Sequence, residues 1–303
     1  MNIIELQEVT KTFGSVRAVN RLSLAVPSGS IYGFIGPNGS GKTTTIRMIM
    51  KIFYPDSGKI TLNGKEHSGD RLDNVGYLPE DRGLYKKMKV KDVLMFLGEL
   101  NGGTNLKQKI DYWLNHLDLS EFAEKKVETL SKGMKQKLQF ISTVMNEPEI
   151  IILDEPFSGL DPVNAEILKD AILDLQKKGS TVIFSTHDMS MAEKMCDNIF
   201  MIYKGEKVLD GTLNQIQDQY GSDTIVVQTE KGETALRGIS GIESINNFGK
   251  VQEIKLKEKA DPQSILAEIM KNTAVTKFEI TRPSLNDIFI RIAAPERKEA
   301  NHA

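Results

Sequence analysis

Residues Gly36, Pro37, Asn38, Gly39, Ser40, Gly41, Lys42 and Thr43 follow the spacing G-x-x-x-x-G-K-[ST]. That spacing suits a loop that holds phosphate. Its glycines let the backbone approach the oxygens, a following helix presents free N–H groups and a partial positive charge, and Lys42 reaches the terminal phosphates. The Thr43 hydroxyl suits magnesium, and Thr44 continues the loop into the helix. A second group, Asp154-Glu155, ends the apolar run Ile150 to Leu153. Asp154 suits magnesium coordination there, and Glu155 suits activation of an attacking water. Taken singly, each group also has a plain structural reading, as a Gly-rich turn capping a helix or a strand end with solvated acids.

Both groups need particular elements around them. A phosphate loop needs a strand before it and a helix after it, and Ser30 to Ile35 reads as a buried strand, about Lys42 to Phe53 as a helix. Glu149 to Leu153 and Thr181 to Ser185 predict two more strands, joined by a helix whose apolar face is Val163, Ile167, Leu168, Ala171, Ile172 and Leu175. Strand, helix, strand implies a parallel sheet, in which ligands bind at the C-terminal strand ends. Earlier, short β-rich runs with the turn dipeptide Asn63-Gly64 predict an antiparallel region. From about Val90 to Asn146, Val93, Leu94, Leu97 and Leu100, then Ile110, Trp113, Leu114 and Leu117, recur at helical spacing.

Asp210 to Ser222 is polar. Beyond it the pattern predicts strands at Thr224 to Gln228, Ile242 to Asn246, Val251 to Leu256 and Lys277 to Thr281, with helices at Pro262 to Lys271 and Ser284 to Ile292. The expected organisation is an α/β P-loop core with an antiparallel β subdomain over residues 1–220 and a helical insertion at about 86–148. A small α+β domain over 221–294 and a frayed polar tail over 295–303 complete it.

Composition narrows the function classes. The 303 residues carry 39 basic and 41 acidic side chains, a formal charge of −2, so no global positive field awaits a phosphate backbone and nucleic acid is not an expected partner. At 40% hydrophobic and 26% charged the chain sits in the globular range. The sole cysteine, Cys196, excludes an internal disulfide, and with Met189, Met191 and Met195 it reads as packing. The opening MNIIELQEVT lacks a basic region before an apolar core, and the longest apolar runs fall far short of the roughly 20 residues that span a bilayer. The expectation is a cytoplasmic protein whose membrane contact goes through another chain.

Further motifs give the chain a family resemblance. Leu130-Ser131-Lys132-Gly133-Met134 is similar to the signature of ABC-type ATPases, normally Leu-Ser-Gly-Gly-Gln, and Ser158-Gly159-Leu160-Asp161 resembles their D-loop. His187, closing TVIFST, resembles their switch histidine, and Phe13 falls where the family puts an adenine-stacking aromatic. The blocks GYLPEDRGLY, LSKGMKQK and DEPFSGLDPVNAE look most like ATP-binding subunits of NatA type, associated with sodium efflux. Those subunits often end in a segment similar to RPSLNDIF, Arg282 to Phe289.

The resemblance implies an exporter ATPase with ATP and Mg2+ as ligands, peripheral on the inner face of the cell membrane beneath transmembrane permease subunits on separate chains. It implies two ATP-binding subunits, alike or different, facing head to tail, with each ATP between the phosphate loop of one and the signature of the other. Glu155, His187 and Lys42 become the catalytic set, with His187 sensing the γ-phosphate. Ser131 also reads as the N-cap of a helix to about Asn146, so its hydroxyl and the Gly133 N–H would aim a positive helix end at the partner's phosphate.

Two departures qualify the resemblance. Glu80, in Tyr77-Leu78-Pro79-Glu80, stands where the family has a glutamine that touches magnesium, and a carboxylate there adds like charge to the phosphate oxygens. Lys132 and Met134 replace the usual glycine and glutamine, leaving Ser131 and Gly133 in place. Asp161 before Pro162 is equally an N-cap, Phe13 equally a core residue, and His187 equally a strand-end histidine. Lys86, Lys87, Lys89 and Lys91 suit either a solvated face or a surface meeting a membrane subunit. Two rival functions stay open: a non-transport ABC-type ATPase acting on nucleic acid or ribosomes, and a regulatory module that senses ATP without hydrolysis.

Overall fold

Unbroken apolar runs make strands that are covered on both faces, and the computed structural model places three such runs side by side. It describes residues 1–66, 74–80, 83–220, 224–257 and 260–300. Contacts divide the chain into two units, Met1–Thr212 and Leu213–Ala303.

The first unit runs β1 (Asn2–Phe13), β2 (Val16–Pro27), β3 (Ile31–Ile35), α1 (Lys42–Ile49), β4 (Ser57–Leu62), β5 (Lys65–Glu66), β6 (Val75–Leu78), α2 (Val90–Leu100), α3 (Leu106–His116) and α4 (Lys132–Val144). It continues with β7 (Ile150–Asp154), α5 (Pro162–Lys177), β8 (Thr181–Thr186), α6 (Met189–Met195), β9 (Asn198–Tyr203) and β10 (Glu206–Gly211). β2-β1-β4-β5 form an antiparallel sheet, and Asn63 and Gly64, both at positive φ, make the β4–β5 turn. The main sheet has the order β10-β9-β3-β8-β7-β6, parallel except for the β9–β10 pair.

Every residue of β3, β7 and β8 is buried. Alternation along β7 shows why: Ile151 and Leu153 join a core with α2 to α5, while Ile150 and Ile152 join a core with α1 and the antiparallel sheet. Leu100 and Val163, expected on apolar faces, are instead 64% and 69% exposed, at the last turn of α2 and the first turn of α5. The expected helix to Phe53 stops at Ile49. Lys51 takes the left-handed conformation there, the Ile52 N–H bonds to the Arg47 carbonyl at 2.8 Å and the Lys51 N–H to that of Met48 at 3.1 Å. This is a Schellman stop made without glycine.

The second unit holds α7 (Leu213–Tyr220), β11 (Thr224–Thr229), β12 (Ile242–Asn247), β13 (Gln252–Leu256), α8 (Pro262–Asn272), β14 (Val275–Thr281) and α9 (Leu285–Ala300). Its antiparallel sheet has the order β12-β13-β11-β14. Within the polar stretch, β10 ends at Gly211 and α7 buries Ile216 within the second unit. That moves the division from 220/221 to 212/213. The segment resembling the family's ending is a helix start. Ser284 Oγ accepts the Asp287 N–H at 3.2 Å and Asp287 Oδ2 accepts the Ser284 N–H at 3.0 Å, a reciprocal cap for α9. α9 continues to Ala300, beyond the expected Ile292, and of the expected frayed tail residues 301–303 lie outside the described residues.

Candidate functional site

The parallel register brings the chemistry to one edge. Ile35 pairs with Thr186, and Asp154 pairs with Ser185, so β3, β8 and β7 end level. The loop after β3, the acids ending β7 and His187 after β8 thus share the C-terminal edge of the sheet, where such sheets bind ligands.

The loop between β3 and α1 is held by its glycines. Gly36 has φ +150, and a Cβ there would lie 2.2 Å from the Ile202 carbonyl oxygen of β9. Gly41 has φ +114 and precedes α1 with no side-chain cap, which leaves the first N–H groups of the helix to a ligand. Gly39 has φ +77 and open space where a Cβ would stand. Asn38 is exposed, Pro37, Thr43 and Thr44 are half-buried, and Ser40 is buried with no hydroxyl partner among the described residues. Lys42 is 5% exposed and donates from Nζ to the Gly36 carbonyl at 2.7 Å and that of Pro37 at 3.1 Å. Burial pushes its ammonium below the usual lysine value, and the charges of Glu155, Asp154 and Glu80 pull it back up.

Asp154 is 1% exposed. Its Oδ1 accepts the Ser185 hydroxyl and lies 3.4 Å from the Thr43 hydroxyl, while its Oδ2 is buried without a partner among the described residues. An unsatisfied buried carboxylate oxygen beside a threonine hydroxyl is a hard-oxygen donor set that fits Mg2+. Among the described residues no group of three His, Cys, Asp or Glu could hold a metal unaided. Glu155 follows at φ +51, a left-handed conformation uncommon for a residue with a Cβ. Its N–H donates to the Ser185 carbonyl at 3.2 Å and hydroxyl at 3.1 Å, and its carboxylate meets His187. The sequence reading passed over Ser185; the signal was a hydroxyl residue directly after the apolar Val182 to Phe184 of β8.

Of the other expected site residues, Glu80 follows β6 at this same edge, two residues past Leu78, which pairs with Leu153, whereas Phe13, Ser131, Gly133 and Asp161 belong to other elements. Phe13 is 43% exposed and packs edge-on against Phe53 with ring centres 5.2 Å apart, so it is not a core residue. Glu80 is exposed just beyond β6 and lines a cavity of about 470 Å³ with Lys86, Lys132, Lys135, Gln139 and Ser158. Ser131 caps α4 by accepting the Met134 N–H at 3.2 Å, as expected, and Gly133 faces Leu160. Lys132 lies along Gly159, and Met134 packs on the core. Asp161 caps α5 by accepting the Asn164 N–H at 3.0 Å, and hydrogen bonds from Asn164 hold its carboxyl below the usual range.

A glycine-rich loop between a strand and a helix, with an acid pair ending a neighbouring parallel strand, defines a P-loop nucleotide-binding fold. Residues 19–158 match the family model described as ABC transporter, and residues 211–293 match that of the ATP-binding protein DrrA1-3-like, C-terminal domain. The chain is 39% identical to the uncharacterized ABC transporter ATP-binding protein YhaQ of Bacillus subtilis, over 95% of this chain and 97% of that protein. It is 31% identical to the Nod factor export ATP-binding protein I of Burkholderia lata, over 98% of each. Among solved structures, one described as an ATP binding subunit of an ABC transporter superposes with a TM-score of 0.66 at 28% identity, over 72% of this chain and 93% of that one. The chain belongs to the ATP-binding proteins of ABC transporters, and its fold is the ABC cassette with a small additional C-terminal domain.

Proposed function

We propose that this chain is the Mg2+-dependent ATPase of an ABC exporter and drives permease subunits carried on separate chains. The observation that carries the reading is the shared strand edge, which sets Lys42, the open carboxylate oxygen of Asp154 and the Glu155–His187 pair beside one uncapped helix start. The loop N–H groups and Lys42 bind the phosphates of ATP, with Phe13 offered to the base. Thr43 and Asp154 hold Mg2+, which when bound offsets the charge of the phosphate oxygens. Glu80 is too exposed to be assigned as a ligand from its surroundings, and it acts on Lys42 by charge. Glu155 orients a water and takes its proton, and His187 holds the Glu155 carboxylate in place. Phosphoryl transfer asks for little else from a protein than positioning and neutralisation.

The capped start of α4 supports a role toward a second ATP-binding subunit. Ser131 and Gly133 would meet the nucleotide of the facing copy, and the Asp161 segment would lie at the same junction. No described helix is long and apolar enough to cross a membrane, which agrees with an ATPase seated on the inner membrane face by its permease partners. Export follows the printed function of the Nod factor relative. The cargo path belongs to the partner chains, so a NatA-like sodium cargo is tested on the assembled transporter. The first test is ATP hydrolysis by the purified chain with and without Mg2+, wild type beside Glu155→Gln, with light scattering to follow mass. Mg2+-dependent turnover in the wild type and an ATP-held dimer in the variant are expected. Nucleotide binding with neither turnover nor dimer would favour the ATP-sensing reading.

A further inference from the structure

Ser185 makes three contacts at the centre of the site. It is fully buried at the end of β8, directly across the ladder from Asp154. Its hydroxyl donates to Asp154 Oδ1 and accepts the Glu155 N–H at 3.1 Å, and its carbonyl accepts the same N–H at 3.2 Å. One hydroxyl therefore spends its single proton on the first acid and a lone pair on the second.

We propose that Ser185 is a positioning residue that sets both acids of the site, choosing which Asp154 oxygen faces the metal and fixing the backbone turn that aims Glu155. The first half follows from the carboxylate's asymmetry. Oδ1 is taken by Ser185, with Thr43 nearby, whereas Oδ2 is buried with no partner among the described residues. Without the Ser185 hydroxyl the carboxylate keeps the long Thr43 contact at 3.4 Å but loses the bond that fixes which oxygen faces the ion. The second half follows from Glu155 at φ +51, a conformation that persists only where surrounding bonds hold it. The Glu155 N–H, which the hydroxyl and the carbonyl of Ser185 both accept, is one of the bonds that hold that turn, and beyond it the Glu155 carboxylate reaches His187. Ser185 touches neither ATP nor water in this scheme; it acts through Asp154 and Glu155.

The inference rests on the ATP·Mg2+ reading, and Mn2+ binding tests it without requiring turnover. The full chain, as wild type, Ser185→Ala, Ser185→Cys and Ser185→Thr, is saturated with a non-hydrolysable ATP analogue and titrated with Mn2+, bound ion being read by electron paramagnetic resonance. Removing a group that orients a metal ligand typically weakens metal binding about 10–100-fold. Roughly tenfold weaker Mn2+ binding is expected for Ser185→Ala, with recovery in Ser185→Thr, which keeps the hydroxyl, and metal-free analogue affinity unchanged throughout. Ser185→Cys keeps the side-chain size with a weak donor and serves where the alanine variant does not fold; it is expected to bind Mn2+ more weakly than wild type. Wild-type Mn2+ affinity in the folded alanine or cysteine variant overturns the proposal, as does equal loss in the threonine variant. A wild-type chain that binds no analogue overturns the ATP reading and this proposal with it; one that binds analogue but no Mn2+ overturns the metal half alone.

Discussion

One imidazole nitrogen of His187 spans both carboxylate oxygens of Glu155, with Nδ1 3.0 Å from Oε1 and 3.1 Å from Oε2. The two residues differ in setting: the Glu155 side chain is 10% exposed and that of His187 60%. The inner residue thus has its carboxylate orientation set by the outer one.

This pairing predicts unequal and non-additive effects on turnover. Glu155→Gln removes the proton acceptor, and loss of about 10²–10⁴-fold is expected with ATP still bound. His187→Ala leaves the acceptor but frees it, so a smaller loss is expected. The double variant should turn over no more slowly than Glu155→Gln, because residues acting as one unit do not add. Steady-state hydrolysis of the four proteins decides it, and a multiplicative double variant would separate the two roles.

The loop glycines should separate fold from ligand. Alanine at Gly36 would place a Cβ 2.2 Å from the Ile202 backbone oxygen, whereas at Gly39 it meets nothing within 4 Å. Gly36→Ala is expected to unfold the chain or lower its Tm steeply. Gly39→Ala carries only the left-handed backbone penalty of about 1–2 kcal/mol, yet its new methyl lies on the open side of the loop. It should fold and lose nucleotide affinity, as measured by thermal unfolding and equilibrium binding of ATP. A Gly39→Ala protein with full affinity would place the phosphates elsewhere.

The parts legible in the sequence share a physical cause. Strand β7 and its acids showed because a buried parallel strand must be apolar throughout and polar where it ends. The cap at Ser131 showed because capping is local chemistry. Strands β9 and β10 were missed, although β9 is as apolar as β7, because no motif follows it to mark its end. The stop of α1 at Lys51 was missed because nothing in a lysine announces a left-handed turn. Ser185 escaped notice because its role exists only once the ladder sets it opposite Asp154, far away in sequence.

The start of α4 allows its structural and functional roles to be parted. Ser131→Ala removes the acceptor for the Met134 N–H and should lower stability by about 1 kcal/mol. Ser131→Asp keeps an oxygen there, and aspartate is as good an N-cap as serine, so stability should be retained. If the helix end faces a partner's γ-phosphate, the added charge repels it, and turnover and ATP-driven dimer formation should fall well below those of the alanine variant. Chemical denaturation beside light scattering reads both, and a fully active Ser131→Asp protein would confine Ser131 to capping.

The second unit carries its own pH dependence, centred on Glu253. Burial, with the charge of Asp287 beside it, pushes the Glu253 carboxyl above its ordinary value of 4.5. The cations facing the same small cavity are already engaged, Lys255 with Glu243 at 2.8 Å and Arg291 with the Thr224 hydroxyl and the Tyr220 carbonyl at 3.3 Å. A carboxyl with a raised folded-state value favours folding in its protonated form. Its contribution is therefore complete below the unfolded value and is lost as pH rises through the folded one. Glu253→Gln holds the neutral form at every pH, so it should raise Tm at pH 7 and change it little at about pH 4. Thermal unfolding of the full chain at both values checks the sign. An equal shift at the two pH values would mean that the substitution acts through packing and that the Glu253 charge is already satisfied.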